Sequence, residues 1–241
     1  MSQLCFRQLK AGRDFAPADP IAGQMVNFVY LIGDRTSGEA ALVDPAWDVR
    51  GLLEVAADEG LKVRHALVSH YHPDHVGGNL FGHVVQGLAA LQELQPVKVH
   101  VEKHEAEGLR KVTGLSQSDL VCHESGDRIG VGAIEIETIH TPGHTPGSQC
   151  FLLGNRLVAG DTLFVRGCGR VDLPGGDPEQ MYFSLTQRLA RLPDDTVLYP
   201  GHDYGPAPTS TLGEEREANL YLRVPSLRDW LRLMGRGLAE V

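Results

Sequence analysis

The sequence predicts an α/β (α+β) protein with two β-sheets packed face to face and helices outside. Apolar runs of strand length fall into two groups along the 241-residue chain, one before His75 and one after Val131. Stretches with helical spacing follow each group, and such layers bury the apolar faces of two sheets. The chain length allows a single domain over residues 1–241, with a short helical extension from about residue 213.

The first group of strands leads into a histidine-rich turn. Its predicted strands are residues 24–32, 40–43 and 66–68. The second strand ends at Asp44-Pro45, because proline cannot donate to a strand ladder. Asp48 is a suitable N-cap for an intervening helix, which Gly60 ends. The third strand then runs directly into His70.

The second half of the chain alternates short strands with two clear helices. The predicted strands are residues 97–101, 134–139, 150–153, 157–159 and 196–199. A short helix is predicted over residues 103–111, while residues 80–95 show only a weak helical pattern. Asp177 and Pro178 begin a helix with a core-facing leucine stripe, and Ser226 caps a terminal amphipathic helix. Residues 204–213 are predicted to form a loop.

Composition excludes several classes of function and compartment. The net charge of −9 disfavours nucleic acid as a partner, since a phosphate backbone requires a basic face. No apolar stretch is long enough for a signal peptide or a membrane span. The four cysteines are widely separated and form no Cys-x-x-Cys pair, so neither a disulfide framework nor a zinc ribbon is expected. We expect a cytoplasmic protein.

His70–His75, with the sequence His-Tyr-His-Pro-Asp-His, contains four potential metal ligands within six residues. Imidazole nitrogen and carboxylate oxygen suit zinc, iron or manganese. Because Pro73 cannot continue a helix and Gly77-Gly78 follow soon after, the ligands are expected on a tight turn at a strand end. This pattern predicts a metal site.

Three later strand ends each contribute one further ligand. His144, Asp161 and His202 each follow an apolar strand and one or more small residues, in the contexts Pro-Gly-His, Ala-Gly-Asp and Pro-Gly-His. Each would be weak alone, but ligands from several strand ends can converge on one edge of a sheet sandwich. Together with the first four they make a set sufficient for two metals about 3.5–4 Å apart sharing a carboxylate.

This set of residues resembles the metallo-β-lactamase superfamily, with similarity from Asn27 to about Asn219. The resemblance implies an αββα sandwich of two mixed sheets with the metals at one edge. It implies two divalent ions, with zinc favoured over iron or manganese. By that pattern His70, His72 and His144 hold the first metal, and Asp74, His75 and His202 hold the second. Asp161 would bridge the metals, and Asp44 would support a ligand histidine from behind.

Within the superfamily, the bridging Asp161 and the motif Gly167-Cys168-Gly169-Arg170 resemble the glyoxalase II-like branch. The favoured function is therefore a thioesterase that cleaves a glutathione-type thioester through a metal-bound hydroxide. Asp74 would hold a metal and orient the hydroxide as the catalytic carboxylate. Arg170 and Tyr204 would bind the glutathione portion, and Cys168 is expected to pack rather than to act as nucleophile.

The first alternative is a glutathione persulfide dioxygenase. Such enzymes resemble this chain at all seven ligand positions but use one ferrous iron, held at the positions of His70, His144 and Asp161. Asp172 and residues 202–204 resemble the dioxygenases, whereas residues 173–177 resemble short glyoxalase II-like hydrolases. Other hydrolases of the fold, acting on lactones, lactams or phosphoesters, stand third. A non-catalytic metal-binding domain is disfavoured, since a structural site needs only four ligands.

The expected partner in either of the first two functions is a small-molecule thiol or thioester. Neither nucleic acid nor a membrane is expected to bind. We expect the chain to act as a monomer or a homodimer.

Overall fold

The computed structural model describes residues 3–235, which form sixteen strands and eight α-helices. The strands are β1 Leu4–Lys10, β2 Phe28–Asp34, β3 Glu39–Val43, β4 Lys62–Leu67, β5 Gly78–Leu80, β6 His83–Val85, β7 Lys98–Glu102, β8 Leu120–His123, β9 Arg128–Val131, β10 Ile134–His140, β11 Gln149–Leu153, β12 Arg156–Gly160, β13 Leu163–Phe164, β14 Gly167–Cys168, β15 Val197–Pro200 and β16 Ser210–Thr211. The helices are α1 Pro20–Met25, α2 Val49–Asp58, α3 Pro73–Val76, α4 Leu88–Leu94, α5 Ala106–Thr113, α6 Pro178–Phe183, α7 Leu212–Ala218 and α8 Leu227–Gly235. Among these residues, none of the helices has both the length and the apolar character needed to span a bilayer.

Two six-stranded sheets dominate the structure. The first has the order β1-β2-β3-β4-β7-β8, and the second has the order β16-β15-β12-β11-β10-β9. Both are mixed, because β3, β4, β7 and β8 pair in parallel in the first sheet and β12 pairs in parallel with β15 in the second. Two mixed sheets accompanied by helices confirm the predicted fold class.

The chain divides into two compact units, Met1–Thr138 and Ile139–Val241. In the first unit, the strands of the first sheet pack against helices. Leu42 of β3 lies in one cluster with Leu52 of α2, and Val99 of β7 lies in another with Leu91 of α4 and Leu109 of α5. Burial of these aliphatic side chains stabilises the fold in proportion to the apolar area removed from water.

The second unit has its own apolar core. Leu157 of β12 and Leu198 of β15 pack with the leucine stripe that begins in α6, and Trp230 of α8 completes the cluster. The stripe continues past α6 through a π-helical turn, Ser184–Arg188, into a final 3₁₀ turn, Leu189–Arg191. Asp177 caps this helical segment as predicted, since its side chain accepts from the Gln180 amide at 3.0 Å.

The predicted strand over residues 24–32 was wrong at its beginning. Asp19 accepts hydrogen bonds from the amides of Ile21 and Ala22, and Pro20 occupies the first helical position, so α1 forms there instead. The helix ends at Val26 in the left-handed region (φ +48°), and the strand starts only at Phe28.

Proline at residue 73 begins a helix rather than preventing one. Pro73 is the first residue of the one-turn helix α3, where its missing amide hydrogen costs nothing. The expected tight turn with ligands is therefore a loop followed by a helical turn. Gly77 and Gly78 end it, both with positive φ (+85° and +126°), as residues without a Cβ readily do.

Several elements lack a clear pattern in the sequence. Strands β1, β8 and β9 were not predicted, and β7 and β8 extend the first sheet beyond the first predicted group. Residues 80–95 contain the last residue of β5, all of β6 and α4. The predicted loop over residues 204–213 contains β16 and the start of α7, which begins at a capping box formed by Thr211 and Glu214. The predicted end of the domain, residues 236–241, lies outside the described residues.

Candidate metal centre

The first unit carries four of the predicted ligands in the loop that follows β4. His70 and His75 are each only 1% exposed and Asp74 is 7% exposed, while His72 is partly exposed. The rings of His70 and His75 lie 4.2 Å apart between centroids, and those of His70 and His72 lie 4.7 Å apart. The structure therefore brings these neighbours in sequence into one buried group of donors.

Asp44 organises this loop from behind. Its Oδ1 accepts from the Ser69 amide at 2.8 Å, and its Oδ2 accepts from the Ser69 hydroxyl at 2.5 Å. The same Oδ2 lies 3.0 Å from Nδ1 of His75. The structure thus places Asp44 against His75, one of the predicted ligands.

These contacts fix the tautomers of two histidines. The single hydroxyl proton of Ser69 is donated to the Asp44 carboxylate, so Ser69 Oγ accepts from His70 Nδ1 at 3.0 Å. His75 likewise uses Nδ1–H toward the carboxylate. In both rings Nε2 then carries the lone pair, which is the form in which an imidazole binds a metal.

Tyr71, between two ligand histidines, is fixed by α5. Its amide donates to Oε1 of the fully buried Glu105 at 2.7 Å. Its ring lies over Gly108, where an added Cβ would stand 2.5 Å from Tyr71 Cδ1. Burial, and then the nearby Glu105 carboxylate, raise the pKa of the Tyr71 phenol. The backbone of the ligand loop is therefore anchored from within the same unit.

The second unit carries the remaining three predicted ligands, and they meet at Asp161. Nε2 of His144 lies 3.5 Å from Asp161 Oδ2, and Nε2 of His202 lies 3.4 Å from the same oxygen. His144 Nδ1 donates to the backbone carbonyl of Arg170 at 2.7 Å, because a carbonyl can only accept. Its Nε2 therefore carries the lone pair and faces the carboxylate.

Two glycines permit this convergence. A Cβ at Gly201 would stand 2.3 Å from Asp161 Oδ1, and a Cβ at Gly169 would stand 1.9 Å from the Asp161 carbonyl oxygen. Either substitution would displace the carboxylate or its backbone. Gly169, the second glycine of the Gly-Cys-Gly-Arg motif, is thus explained by close backbone approach.

The predicted substrate-binding residues lie beside these ligands in the second unit. Arg170 forms a two-pronged ion pair with Asp172 (2.9 and 2.7 Å), and its side chain is 67% exposed. Tyr204 is 55% exposed and stacks on His202 with ring centroids 4.4 Å apart and planes 8° apart. Burial raises the pKa of the Cys168 thiol to about 12, so the thiol is neutral and unsuited to attack.

The donor sets in both units fit a divalent metal. Buried imidazoles present Nε2 while a carboxylate, hydroxyl or carbonyl holds the other ring nitrogen, which is the usual support for metal-binding histidines. Two carboxylates, Asp74 and Asp161, supply the charge that a hard or borderline cation requires.

Sequence reasoning missed three supporting residues: Glu105, which holds the Tyr71 amide, Asn27, whose Nδ2 donates to Asp74, and Trp47, whose indole donates to Asn27. Asn27 and Glu105 are buried polar groups, with 2% and 0% exposure. A polar residue at the start of an apolar strand, as Asn27 is, offered a signal. No sequence signal pointed to Trp47 or Glu105, because their neighbours in sequence do not indicate which atoms these two side chains contact.

A family model for the metallo-β-lactamase superfamily matches residues 22–202 of the chain. The chain belongs to this superfamily. The relatives found also agree with the predicted branch of the superfamily, because they include persulfide dioxygenases and hydroxyacylglutathione hydrolases. The chain is 36% identical over 211 residues to the mitochondrial persulfide dioxygenase ETHE1 of Homo sapiens, covering 86% of this chain and 76% of that protein.

Two further superfamily members extend the comparison. A hydroxyacylglutathione hydrolase of Aeromonas hydrophila is 33% identical over 231 residues, with 82% of each chain covered. The crystal structure of ETHE1 from Myxococcus xanthus superposes with a TM-score of 0.79 at 32% identity, covering 98% of this chain and 92% of that one. The chain is an enzyme of the superfamily, and its relatives include both of the activities that the sequence left open.

Proposed function

We propose that this enzyme is a glutathione persulfide dioxygenase. The observation that carries the proposal is the 36% identity to human ETHE1, a persulfide dioxygenase, over 86% of the chain. The sequence alone favoured the thioesterase and held the dioxygenase as its first alternative. The similarity in structure to ETHE1 from Myxococcus xanthus, with a TM-score of 0.79, supports the same choice.

The ion pair of Arg170 and Asp172 adds support from the second unit. The sequence analysis associated Asp172 with the dioxygenases, and here its carboxylate fixes the Arg170 guanidinium in one plane. A fixed, largely exposed guanidinium suits recognition of a small anionic thiol such as glutathione. We assign Arg170 and Tyr204 to that recognition.

We propose one ferrous iron as the cofactor; by the resemblance, the positions of His70, His144 and Asp161 would hold it. Two imidazoles and one carboxylate are the donor set typical of non-haem iron enzymes that use O₂. When bound, such an iron supplies the redox chemistry with O₂ that amino-acid side chains lack. Both atoms of O₂ and one water oxygen would end on the outer sulfur as sulfite, and glutathione would leave as the thiol.

The chain's own residues orient the histidines assigned to this site. Ser69 and the Arg170 carbonyl hold the ring protons of His70 and His144, so each histidine offers Nε2. The neutral Cys168 thiol does not compete as a nucleophile for the persulfide. All four cysteines are free thiols, consistent with the cytoplasmic, reducing location that we propose.

The decisive experiment measures metal and both activities on one preparation. The protein is purified anaerobically, its iron and zinc are counted per chain, and two assays are run in parallel. One assay follows O₂ uptake and sulfite release with glutathione persulfide, and the other follows hydrolysis of S-lactoylglutathione. Persulfide-dependent O₂ uptake with about one iron per chain is the expected result. Thioester cleavage by a two-metal protein that takes up no O₂ would contradict the proposal.

Arg170→Ala tests the substrate assignment separately. Loss of a charge-assisted contact to glutathione is expected to raise the KM for the persulfide about 10-fold, with kcat little changed. Arg191→Ala, at an exposed arginine of the same unit, is the matched control and should leave both constants unchanged. An unaltered KM in Arg170→Ala would show that Arg170 does not bind the glutathione portion of the substrate.

The second candidate is the glutathione thioesterase, which one observation favours. The 33% identity to a hydroxyacylglutathione hydrolase spans 82% of each chain. In that function Asp74, His75 and His202 would hold a second metal, as the sequence analysis expected. The metal count and the S-lactoylglutathione assay above decide between the two candidates.

A further inference from the structure

Asn27 is a buried side chain that contacts the ligand loop of the first unit. Its Nδ2 lies 3.0 Å from Asp74 Oδ2 and 3.3 Å from His75 Nε2. Its Oδ1 lies 3.1 Å from the indole Nε1 of Trp47. The Asn27 amide therefore links Trp47, which is not a predicted ligand, to the carboxylate of Asp74, which is one.

The chemistry of Trp47 and of Asp74 decides which way this amide points. An indole nitrogen can donate a hydrogen bond and cannot accept one, so the Asn27 atom that faces it must be the oxygen. The amide nitrogen is then directed at Asp74, whose carboxylate can only accept. Without the indole N–H, the Asn27 oxygen would lose its buried partner, and the amide would be held through its nitrogen alone.

The backbone around Trp47 supports a dedicated role. Trp47 has φ +76° and Asp44 has φ +53°; this left-handed region is unfavourable for a bulky residue such as tryptophan and better tolerated by aspartate. The turn is held nonetheless, because the Trp47 amide donates to the Gln86 carbonyl at 2.9 Å and the Asp44 amide donates to the Leu67 carbonyl at 3.0 Å. Strain retained in this way concentrates at functional sites.

One strained turn thus supplies two supports to the ligand loop. Asp44 reaches His75 directly, as described above, whereas Trp47 reaches Asp74 through Asn27. All of these side chains are at most 7% exposed, so solvent does not replace the lost contacts readily. A low-dielectric surrounding strengthens such hydrogen bonds.

We propose that Trp47 and Asn27 are positioning residues that set the orientation of the Asp74 carboxylate at the metal centre. The proposal rests on the metalloenzyme function above: Asp74 would hold a second metal in the thioesterase candidate, and in the dioxygenase it belongs to the same buried loop as His70, an expected ligand of the iron. Asn27 restrains one carboxylate oxygen, and Trp47 holds the Asn27 amide in the orientation that donates to it. Trp47 acts only through Asn27, since the indole contact is to the amide and not to a ligand.

The test is a double-mutant cycle read by metal affinity and by catalysis. Trp47→Phe removes the indole donor and keeps a ring, and Asn27→Ala removes the link. Each is expected to weaken zinc binding by the protein stripped of metal, or to lower kcat with the persulfide at constant KM, by about 10- to 100-fold. The double variant should be no worse than Asn27→Ala, because the two residues act in series.

The chain offers a matched control, because it contains only two tryptophans. Trp230 lies in the second unit and donates from Nε1 to the Pro178 carbonyl at 2.6 Å. Trp230→Phe makes the same chemical change and is expected to lower the Tm without altering zinc affinity or kcat. Equal effects of Trp47→Phe and Trp230→Phe on the metal centre would overturn the proposal.

Indole NMR gives a readout that a purely structural role would not change. Two indole N–H signals are expected, and zinc should shift that of Trp47 and leave that of Trp230 in place. In Asn27→Ala the zinc response of Trp47 should disappear; if Asn27→Ala does not fold, Trp47→Phe and Trp230→Phe decide by affinity and kcat. A persistent shift in folded Asn27→Ala, or additive losses in the cycle, would refute the proposal.

These outcomes separate the positioning role from the proposed function. If the enzyme takes up O₂ with the persulfide but is unaffected by Trp47→Phe and Asn27→Ala, the proposed function stands and the positioning role is refuted. If the chain has no dioxygenase activity but both variants weaken zinc binding non-additively, the proposed function is refuted and the positioning role stands.

Discussion

In the first unit four candidate ligands come from a single six-residue loop, whereas in the second unit three come from three separate strand ends. The loop is oriented by side-chain hydrogen bonds, chiefly those of Asp44 and Ser69. The separate strand ends are instead brought together by close backbone approach, at Gly169 and Gly201. The first arrangement should be sensitive to removal of a polar partner, and the second to addition of a single methyl group.

Asp161→Ala should have the largest effect, because His144 and His202 both face this carboxylate. We expect loss of at least one metal equivalent and a fall in turnover of more than about 100-fold, beyond the range for a supporting residue. Metal analysis and steady-state kinetics measure both. Asp195→Ala, at an exposed aspartate of the same unit, should behave like the wild type. Wild-type metal content in Asp161→Ala would mean that the second unit relies on another carboxylate.

Gly201→Ala should come next, because the new Cβ would overlap Asp161 Oδ1. We expect metal affinity to fall by about 10- to 100-fold although no ligand is removed. Gly235→Ala is the matched control, since a Cβ there meets nothing within 4 Å. Competition with a chelator measures the affinities. If Gly201→Ala binds metal like the control, the close approach of the Gly201 backbone to Asp161 is not what positions the ligands of the second unit.

Ser69→Ala tests the first unit by removing the hydroxyl that joins Asp44 to His70. His70 would then be free to adopt the other tautomer, so we expect a loss in metal affinity of about 10-fold. Ser118→Ala, at an exposed serine of the same unit, should have no effect. An unchanged affinity in Ser69→Ala would show that packing alone orients the loop.

The smallest effect on turnover is expected at His100, which lies outside both ligand groups. Burial, and then the neighbouring His65 and His123, lower the pKa of His100 to about 3. The unfolded chain takes up this proton near pH 6.5 and the folded chain does not, so stability falls as the pH drops from about 6.5 toward 3. Between pH 7 and pH 5 this residue should cost about 2 kcal/mol of unfolding free energy.

Denaturant unfolding of the wild type and of His100→Gln at the two pH values measures this contribution. The variant should lose less stability on acidification, while its turnover at pH 7 stays close to that of the wild type. Identical pH dependence of stability in the two proteins would show that His100 does not cause the loss of stability on acidification.

The ligand loop could be predicted from sequence because its information is local. Four donors within six residues after an apolar strand identify themselves without tertiary structure. His144, Asp161 and His202 were found only because each follows a strand and small residues, and the resemblance joined them into one set. Asn27, Trp47 and Glu105 escaped prediction, since their roles depend on residues 20 to 47 positions away.

Local rules also explain where the fold prediction failed. The strand at Gln24 gave way to α1 because the Asp19 cap and Pro20 favour a helix start more strongly than the apolar run favours a strand. Strands β8 and β9 are only four residues each, too short for a periodic pattern to identify them. Their positions follow from pairing with β7 and β10, which is information from the folded chain.

The outermost strands of the first sheet differ in how they resist aggregation. At one edge, β1 carries Arg7 and Lys10, charges that discourage a foreign strand from adding. At the other edge, β8 exposes Val121 and Cys122 and carries neither lysine nor arginine. An added strand would gain only four residues of pairing there. Brevity rather than charge therefore protects this edge, and lengthening β8 would create a site for self-association.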